Sequence, residues 1–171
     1  MRNLPPFQRF LDAHREDVLR FLIASVGRHD ADDAFQETFI SALRAYERLR
    51  PDSNLRAWVL TIAHRKALDL HRARARSALP VADLDDRALP VGGGTPPPEP
   101  GSGDGDGADH WARVRALPPR QRAVLTLRYA GDLTHGEIAM ALGCSEDAAR
   151  RAASDGLRTL REELSDVAAP T

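Results

Sequence analysis

Residues 134–152 read THGEIAMALGCSEDAARRA, and this stretch decides the fold of the C-terminal part of the chain. Thr134 and Glu137 have the spacing of a capping box, in which each side chain binds a free backbone N–H at a helix start. Gly143 is typical of a helix end, and Ser145 can cap the helix that follows. The stretch predicts helix-turn-helix geometry, in which the second helix enters the DNA major groove; a plain helical hairpin is the alternative.

Apolar residues recur at helical spacing along most of the chain, and no strand-like alternation is present. The N-terminal part predicts three helices. The first ends at Gly27, the second runs from about 31 to 49, and Ser53 or Asn54 caps the third. In the C-terminal part, a helix that ends near Ala130 precedes the helix-turn-helix stretch. The expected fold class is therefore all-α.

The helical spacing also predicts which side chains face the core. Leu43, Tyr129 and Leu164 are expected to point inward from their helices. Trp58 could stack on a nucleic-acid base, but its spacing with the neighbouring apolar residues favours a core position. Gly156 lies in the middle of the last helix, where glycine costs about 1 kcal/mol relative to alanine and permits a bend.

A linker divides the chain into two parts. Residues 90–109 read PVGGGTPPPEPGSGDGDGAD, a composition that prevents regular structure and offers almost nothing to bury. We therefore expect an N-terminal helical domain at residues 1–78, a flexible linker at residues 79–109 and a C-terminal helix-turn-helix domain at residues 110–171.

The charge is segregated although its sum is only −1. Residues 44–76 carry nine Arg/Lys against three acids, and residues 77–109 carry seven acids against one arginine. The single cysteine, Cys144, fits a reducing cytosol and is expected to pack in the turn. The N-terminus has no secretion signal, and no apolar run approaches the ~18–20 residues of a membrane span. We expect a cytoplasmic protein without membrane insertion.

The third helix has an apolar half and a basic half, in residues 55–76, LRAWVLTIAHRKALDLHRARAR. Arg65, Asp69, Arg72 and Arg76 fall on one helical face. Such a face suits phosphate binding along a separated DNA strand, and the alternative is an ordinary solvated face.

The six histidines form no metal-binding pattern. No HExxH is present, and no Glu-x-x-His pair faces another, which argues against a helical metalloenzyme. We therefore expect no catalytic residues, no metal, no cofactor and no enzymatic activity.

Two long stretches resemble a known family. Residues 31–49, ADDAFQETFISALRAYERL, together with residues 55–76, resemble region 2 of bacterial sigma factors, and residues 116–152 resemble region 4. Their order on either side of a linker is similar to the extracytoplasmic-function (ECF) group of the sigma-70 family. The resemblance implies an alternative sigma factor for transcription initiation, with RNA polymerase core (β′ clamp helices and β flap), promoter DNA and an anti-sigma factor as partners, although no segment identifies the anti-sigma site.

The resemblance also implies site residues. It assigns contact with the polymerase clamp to Asp33, Gln36 and Glu37. It assigns recognition and melting of the minus-ten element to a set on and before the third helix: Asn54, Arg56, His64, Arg65, Lys66, Arg72 and Arg76. It assigns the minus-thirty-five element to the last helix: Ser145, Arg150, Arg151, Ser154 and Arg158.

The last helix departs from the family pattern. Ala152, Ser154 and Asp155 stand where the family usually has further basic residues, which predicts a weaker or differently shaped upstream contact. A stand-alone helix-turn-helix repressor is the alternative function. Such a repressor needs neither clamp-binding acids nor a strand-melting basic helix, and it normally dimerises on palindromic sites.

Overall fold

The computed structural model describes residues 4–77 and 106–167, and the regular elements in both ranges are helical. In the first range, the N-terminal unit, the helices are α1 (Phe7–Val26), α2 (Arg28–Tyr46) and α3 (Leu55–Ser77). In the second range, the C-terminal unit, they are α4 (Asp106–Ala116), α5 (Pro119–Leu125) with a following π-helical turn (Thr126–Ala130), α6 (His135–Leu142) and α7 (Glu146–Val167). The all-α expectation is confirmed. The expected linker lies outside the described residues, except that α4 begins within its last four residues.

The N-terminal unit is a three-helix bundle in which each helix contacts the other two. Gly27 joins α1 directly to α2 with a φ of 86°, a left-handed angle that favours glycine. Phe10 and Phe21 are almost fully buried in the centre of the bundle. The ring centroid of Trp58 lies 5.7 Å from that of Phe10 and 6.2 Å from that of Tyr46. Trp58 is therefore partly buried and packs against the core, in agreement with its spacing.

The C-terminal unit contains the expected helix-turn-helix. Thr134 Oγ1 accepts a hydrogen bond from the backbone N–H of Glu137 at 3.3 Å, and the N–H of Thr134 donates to Glu137 Oε2 at 2.8 Å. Gly143 ends α6 in the left-handed conformation, with φ 63° and ψ 41°. Ser145 Oγ accepts from the N–H of Ala148 at 3.2 Å and caps α7. The capping box, the turn and the second cap are all confirmed.

A π-helical turn replaces the end of the regular helix that was expected to run to Ala130. The N–H of Gly131 donates to the carbonyl of Thr126, five residues earlier, at 3.1 Å. A Cβ atom at Gly131 would lie 2.7 Å from the Leu127 carbonyl oxygen, so glycine is needed there. Tyr129 is 59% exposed, and its expected core position is wrong because the wider turn changes which side chains face inward.

Two further core expectations are wrong. Leu43 is 56% exposed, because α1 and α3 cover the opposite side of α2, where Ala42 and Tyr46 are buried. Leu164 is 45% exposed, since the last turns of α7 extend beyond the partly buried Leu160 and the helices that α7 contacts.

The two units pack against each other. Helix α1 contacts both α4 and the π-helical turn, and α3 contacts α6. Apolar side chains of both units belong to the same buried cluster, which includes Phe21 and Leu22 from α1 with Val114 and Leu133 from the C-terminal unit. Within residues 4–77 and 106–167, no helix has the length and apolar content needed to cross a membrane.

Candidate protein and nucleic-acid interfaces

The outer side of α2 carries the residues expected to bind the polymerase clamp. Asp33, Gln36 and Glu37 are all exposed there. The same helical face continues with Ile40, which is 42% exposed, and Leu43. Sequence reasoning did not assign these two apolar residues to the face, although their spacing from Gln36 and Glu37 is the signal that could have identified them. The face is acidic at one end and apolar at the other, a combination suited to a protein partner.

The basic face of α3 is exposed as expected. Arg65, Arg72 and Arg76 all point to solvent. Asp69 forms an ion pair within the helix, with its Oδ1 atom 3.7 Å from Arg72 Nη1. Arg65 and Arg76 form no ion pair with any residue that the structure describes. An exposed pair such as Asp69–Arg72 contributes at most about 1 kcal/mol, so this face can exchange its contacts for a polyanion.

Lys66 connects two of the expected interfaces. Its Nζ atom lies 3.6 Å from Glu37 Oε2 on α2, so a residue assigned to DNA contacts one assigned to the clamp. Lys66 is 28% exposed and Glu37 is 61% exposed. The acidic face of α2 and the basic face of α3 are therefore neighbours on the N-terminal unit.

The start of α3 is held by the C-terminal unit. Asn54 Oδ1 caps α3 by accepting from the N–H of Ala57 at 3.1 Å, and Asn54 Nδ2 donates to Glu137 Oε1. Arg56 Nε donates to Asp17 on α1 at 2.8 Å, and its Nη1 donates to the carbonyl of Asp132 at 3.2 Å. Both side chains expected to meet promoter DNA thus bind acceptors of the protein itself.

His64 is buried, with 7% of its surface exposed. It lies beside Arg122 of α5 in the contact between the two units, with His71 on the next turn but one of α3. Burial, which has the largest effect, and the nearby charges of Arg122, Arg65 and His71 together lower the pKa of His64 to about 4. His64 is thus a neutral imidazole between the units, covered by the C-terminal unit rather than exposed with the rest of the basic face.

The exposed side of α7 carries the residues expected at the minus-thirty-five element. They are all solvent-accessible: Ser145, Arg150, Arg151, Ser154 and Arg158. Arg150 pairs with Glu146, and Arg158 donates to Asp155 at 3.0 Å. Asp155 is therefore neutralised by a neighbour on its own helix, and Arg151 forms no ion pair within the described part of the chain.

The buried side of α7 explains why Ala152 departs from the family pattern and why Gly156 stands in the middle of the helix. Ala152 is 8% exposed and faces α5 and α6, so no cation is lost from the exposed side at this position. Gly156 is buried against α5, and a Cβ atom there would lie 2.9 Å from Leu125 Cδ1 and 3.3 Å from Gln121 Cβ. Helix α7 continues through Gly156 without interruption. This glycine permits close approach of α5 to α7.

Metal-binding side chains do not cluster in the described ranges. No group of three His, Cys, Asp or Glu residues there could hold a metal ion. Cys144 is a half-buried free thiol in the turn between α6 and α7. What the described surfaces offer is three exposed faces for binding: acidic and apolar on α2, basic on α3, and mixed on α7.

Comparison with known proteins identifies the family to which the chain belongs. Residues 10–77 match the family described as Sigma-70 region 2, and residues 111–160 match Sigma-70, region 4. The chain is 31% identical to the ECF RNA polymerase sigma factor SigD of Mycobacterium bovis, over 90% of this chain and 74% of SigD. It is 29% identical to SigE of Mycolicibacterium smegmatis, over 98% of this chain and 65% of SigE. The chain belongs to the ECF sigma factor family.

Solved structures share the fold. The sigma factor RpoE from Bartonella quintana, in complex with the anti-sigma factor NepR, has a TM-score of 0.72 at 21% identity, over 93% of this chain and 96% of RpoE. CnrH, in complex with the cytosolic domain of CnrY, has a TM-score of 0.69 at 22% identity, over 94% of this chain and 88% of CnrH. The chain spans only 49% of SigG of Mycobacterium tuberculosis, to which it is 32% identical.

Proposed function

We propose that this protein is an alternative sigma factor of the ECF type, which directs RNA polymerase core to promoters in the cytoplasm and has no catalytic activity of its own. Its parts are a region 2 domain at residues 1–78, a linker at 79–109 and a region 4 domain at 110–171. The observation that supports this most strongly is the occurrence of both family segments in order, each with an exposed face of suitable chemistry.

The proposed clamp contact is the outer face of α2. Asp33, Gln36 and Glu37 offer carboxylate and amide groups, and Ile40 and Leu43 add apolar area that the fold leaves uncovered. A rim of charge beside exposed apolar side chains is the composition of a protein interface. These residues are proposed to bind the β′ clamp helices of the polymerase.

The clamp assignment has a direct test in binding to purified core polymerase. Asp33→Lys combined with Gln36→Ala is expected to weaken core binding about tenfold or more, since it reverses one charge and removes one polar contact. Asp12→Lys is the matched control, because it makes the same charge change on the exposed side of α1. Equal core affinity for wild type and the double variant would remove α2 from the interface.

The proposed promoter contacts divide between two helices. The beginning of α3 and its basic face bind and melt the minus-ten element, where Arg65, Arg72 and Arg76 follow the separated strand. The exposed side of α7 binds the minus-thirty-five element, with Arg150 and Arg151 as the central pair. An anti-sigma factor is also proposed as a protein partner, since RpoE was solved in complex with one.

Transcription by core polymerase on genomic fragments, with start-site mapping, tests the function as a whole. We expect discrete start sites that require both the protein and core, and a loss of upstream-element dependence in Arg150→Ala/Arg151→Ala. Inhibition of a complete holoenzyme, without any engagement of core, would instead establish the repressor function.

A further inference from the structure

Arg56 differs from the other cations of α3 in how tightly the fold holds it. Its Nε atom donates to Asp17 Oδ2 on α1 at 2.8 Å, and the two side chains are only 28% and 25% exposed. The ion pair of Arg72 with Asp69 is longer, at 3.7 Å, and its side chains are 72% and 66% exposed. Because water and salt screen an exposed pair more than a partly buried one, Arg56 is fixed in place whereas Arg72 exchanges its partner easily.

The carboxylate of Asp17 is held at both of its oxygens. Oδ2 accepts from Arg56, and Oδ1 accepts from Nη2 of Arg20, about one turn further along α1, at 2.7 Å. A carboxylate bonded at both oxygens cannot rotate without breaking one of the two bonds, so it offers Arg56 a single orientation. Asp17 belongs to none of the residue sets proposed to bind the polymerase clamp or promoter DNA.

The contact with Asp17 leaves the far end of the Arg56 guanidinium for another acceptor. A guanidinium donates from Nε, Nη1 and Nη2, and the edge formed by Nη1 and Nη2 can bind paired acceptors of DNA. Nε is taken by Asp17, whereas Nη1 reaches beyond the N-terminal unit and donates to the carbonyl of Asp132 at 3.2 Å. Arg56 is thus held by one edge and presents the other. Fixing a long side chain before it binds removes part of the entropy cost of binding.

We propose that Asp17 is a positioning residue for the minus-ten contact, which fixes Arg56 so that its Nη1 and Nη2 atoms meet an acceptor of the promoter. The proposal rests on the proposed function, which assigns Arg56 to the minus-ten element. It adds a residue from α1 to that contact. It also separates a fixed cation that makes an oriented contact from the exposed cations that follow the strand, Arg65, Arg72 and Arg76. The acceptor is an oxygen or a nitrogen of DNA, on a phosphate or on a base edge.

Open-complex formation by core polymerase, on a genomic fragment with a mapped start site, tests this role in a cycle of variants. Asp17→Ala is expected to slow it about fivefold and Arg56→Ala about tenfold, and the double variant should be no slower than Arg56→Ala, since Asp17 acts through Arg56. Asp17→Asn keeps the size of the side chain and one acceptor, so it should slow the reaction less than Asp17→Ala. Asp12→Ala, which removes an exposed carboxylate from the same helix, is the control and should match wild type.

Two further measurements separate positioning from a purely structural role. Core affinity should be the same for all variants, and thermal unfolding identifies any variant that is not folded at the temperature of the assay. Fragments with single base pairs of the minus-ten element replaced identify the acceptor. Loss of preference at one position, in both Asp17→Ala and Arg56→Ala, places it on a base edge, whereas equal slowing on every fragment places it on a phosphate.

The positioning role is overturned if Asp17→Ala or Arg56→Ala has the rate of the Asp12→Ala control. It is also overturned if the double variant is clearly slower than Arg56→Ala, because Asp17 would then act by another route. In both cases the wild-type protein still gives start sites, so the proposed function stands. That function fails only if core polymerase gives no start sites with the protein.

Discussion

Gly156 shows how a single residue can be misread from its own helix alone. In the sequence it is a weak helix former in the middle of α7. In the structure it is buried, and α5 approaches so closely that a Cβ atom would meet Leu125 at 2.9 Å. Leu125 is 1% exposed and cannot move into solvent. The missing side chain is therefore a packing requirement rather than a flexible point.

Gly156→Ala is expected to lower the free energy of unfolding by about 1 kcal/mol, because overpacking against α5 outweighs the better helix propensity of alanine. Urea unfolding followed by circular dichroism measures this change. Ser154→Ala, two residues away on the exposed side of α7, is the matched control and should leave stability unchanged or slightly raised. A more stable Gly156→Ala protein would show that the α5–α7 contact relaxes easily.

At the residue scale, the helix caps could be predicted from the sequence, whereas the exposure of individual apolar side chains could not. Asn54 was one of two candidates for the cap of α3, and its side chain does cap that helix. Leu43 and Tyr129 were expected inside and lie outside. A cap depends on residues three positions away, whereas exposure depends on which helices cover which side.

At the scale of elements, the helix-turn-helix was predictable because its signals are all local. Each signal is a cap or a turn whose partner lies within one helical turn, and the four residues are Thr134, Glu137, Gly143 and Ser145. The π-helical turn Thr126–Ala130 was not predicted, since its sequence reads as ordinary helix and α1 packs directly on it. The one sequence signal of unusual geometry is Gly131, the glycine that follows the turn.

Removing the capping box tests how much the start of α6 depends on it. Thr134→Ala is expected to lower the free energy of unfolding by about 1 kcal/mol, because the N–H of Glu137 loses its acceptor. Thermal and urea unfolding of the full chain measure the effect. Ser165→Ala is the control; it removes an exposed hydroxyl near the end of α7 and should stay within about 0.5 kcal/mol of wild type. A Thr134→Ala protein of wild-type stability would mean that packing alone holds α6.

At the scale of the whole molecule, the sequence predicted two domains and three binding faces but not the contact between the domains. Arg56 and Asp132 are 76 residues apart in the chain, and Arg20 reaches the carbonyl of Ala130 across 110 residues. No periodicity or capping rule connects positions so distant. The residues of the minus-ten element contact could therefore be assigned by resemblance. The contacts of Asn54 and Arg56 with the C-terminal unit could be found only in the structure.

His64 offers a titration that reports on this contact. Its pKa is lowered to about 4 by burial, with Arg122 of α5 and with Arg65 and His71 of α3 acting in the same direction. An ordinary histidine has a pKa near 6.5. Between these two values the unfolded chain binds a proton at His64 that the folded chain does not. The free energy of unfolding should therefore fall as the pH falls from about 6.5 to about 4, by on the order of 3 kcal/mol, and His64 should contribute no pH dependence above that window.

An NMR titration of the His64 ring, with unfolding measured across the same pH range, checks this expectation. Arg115 of α4 donates to the carbonyls of Ile23 and Ala24 on α1, so Arg115→Glu/Trp111→Ala is expected to separate the two units. The pKa of His64 should then rise towards its ordinary value, because the ring regains water and moves away from Arg122. His64→Gln should flatten the acid side of the stability profile, whereas His29→Gln, at an exposed position on α2, should not. A His64 that titrates near 6.5 in the wild-type chain would contradict its burial between the units.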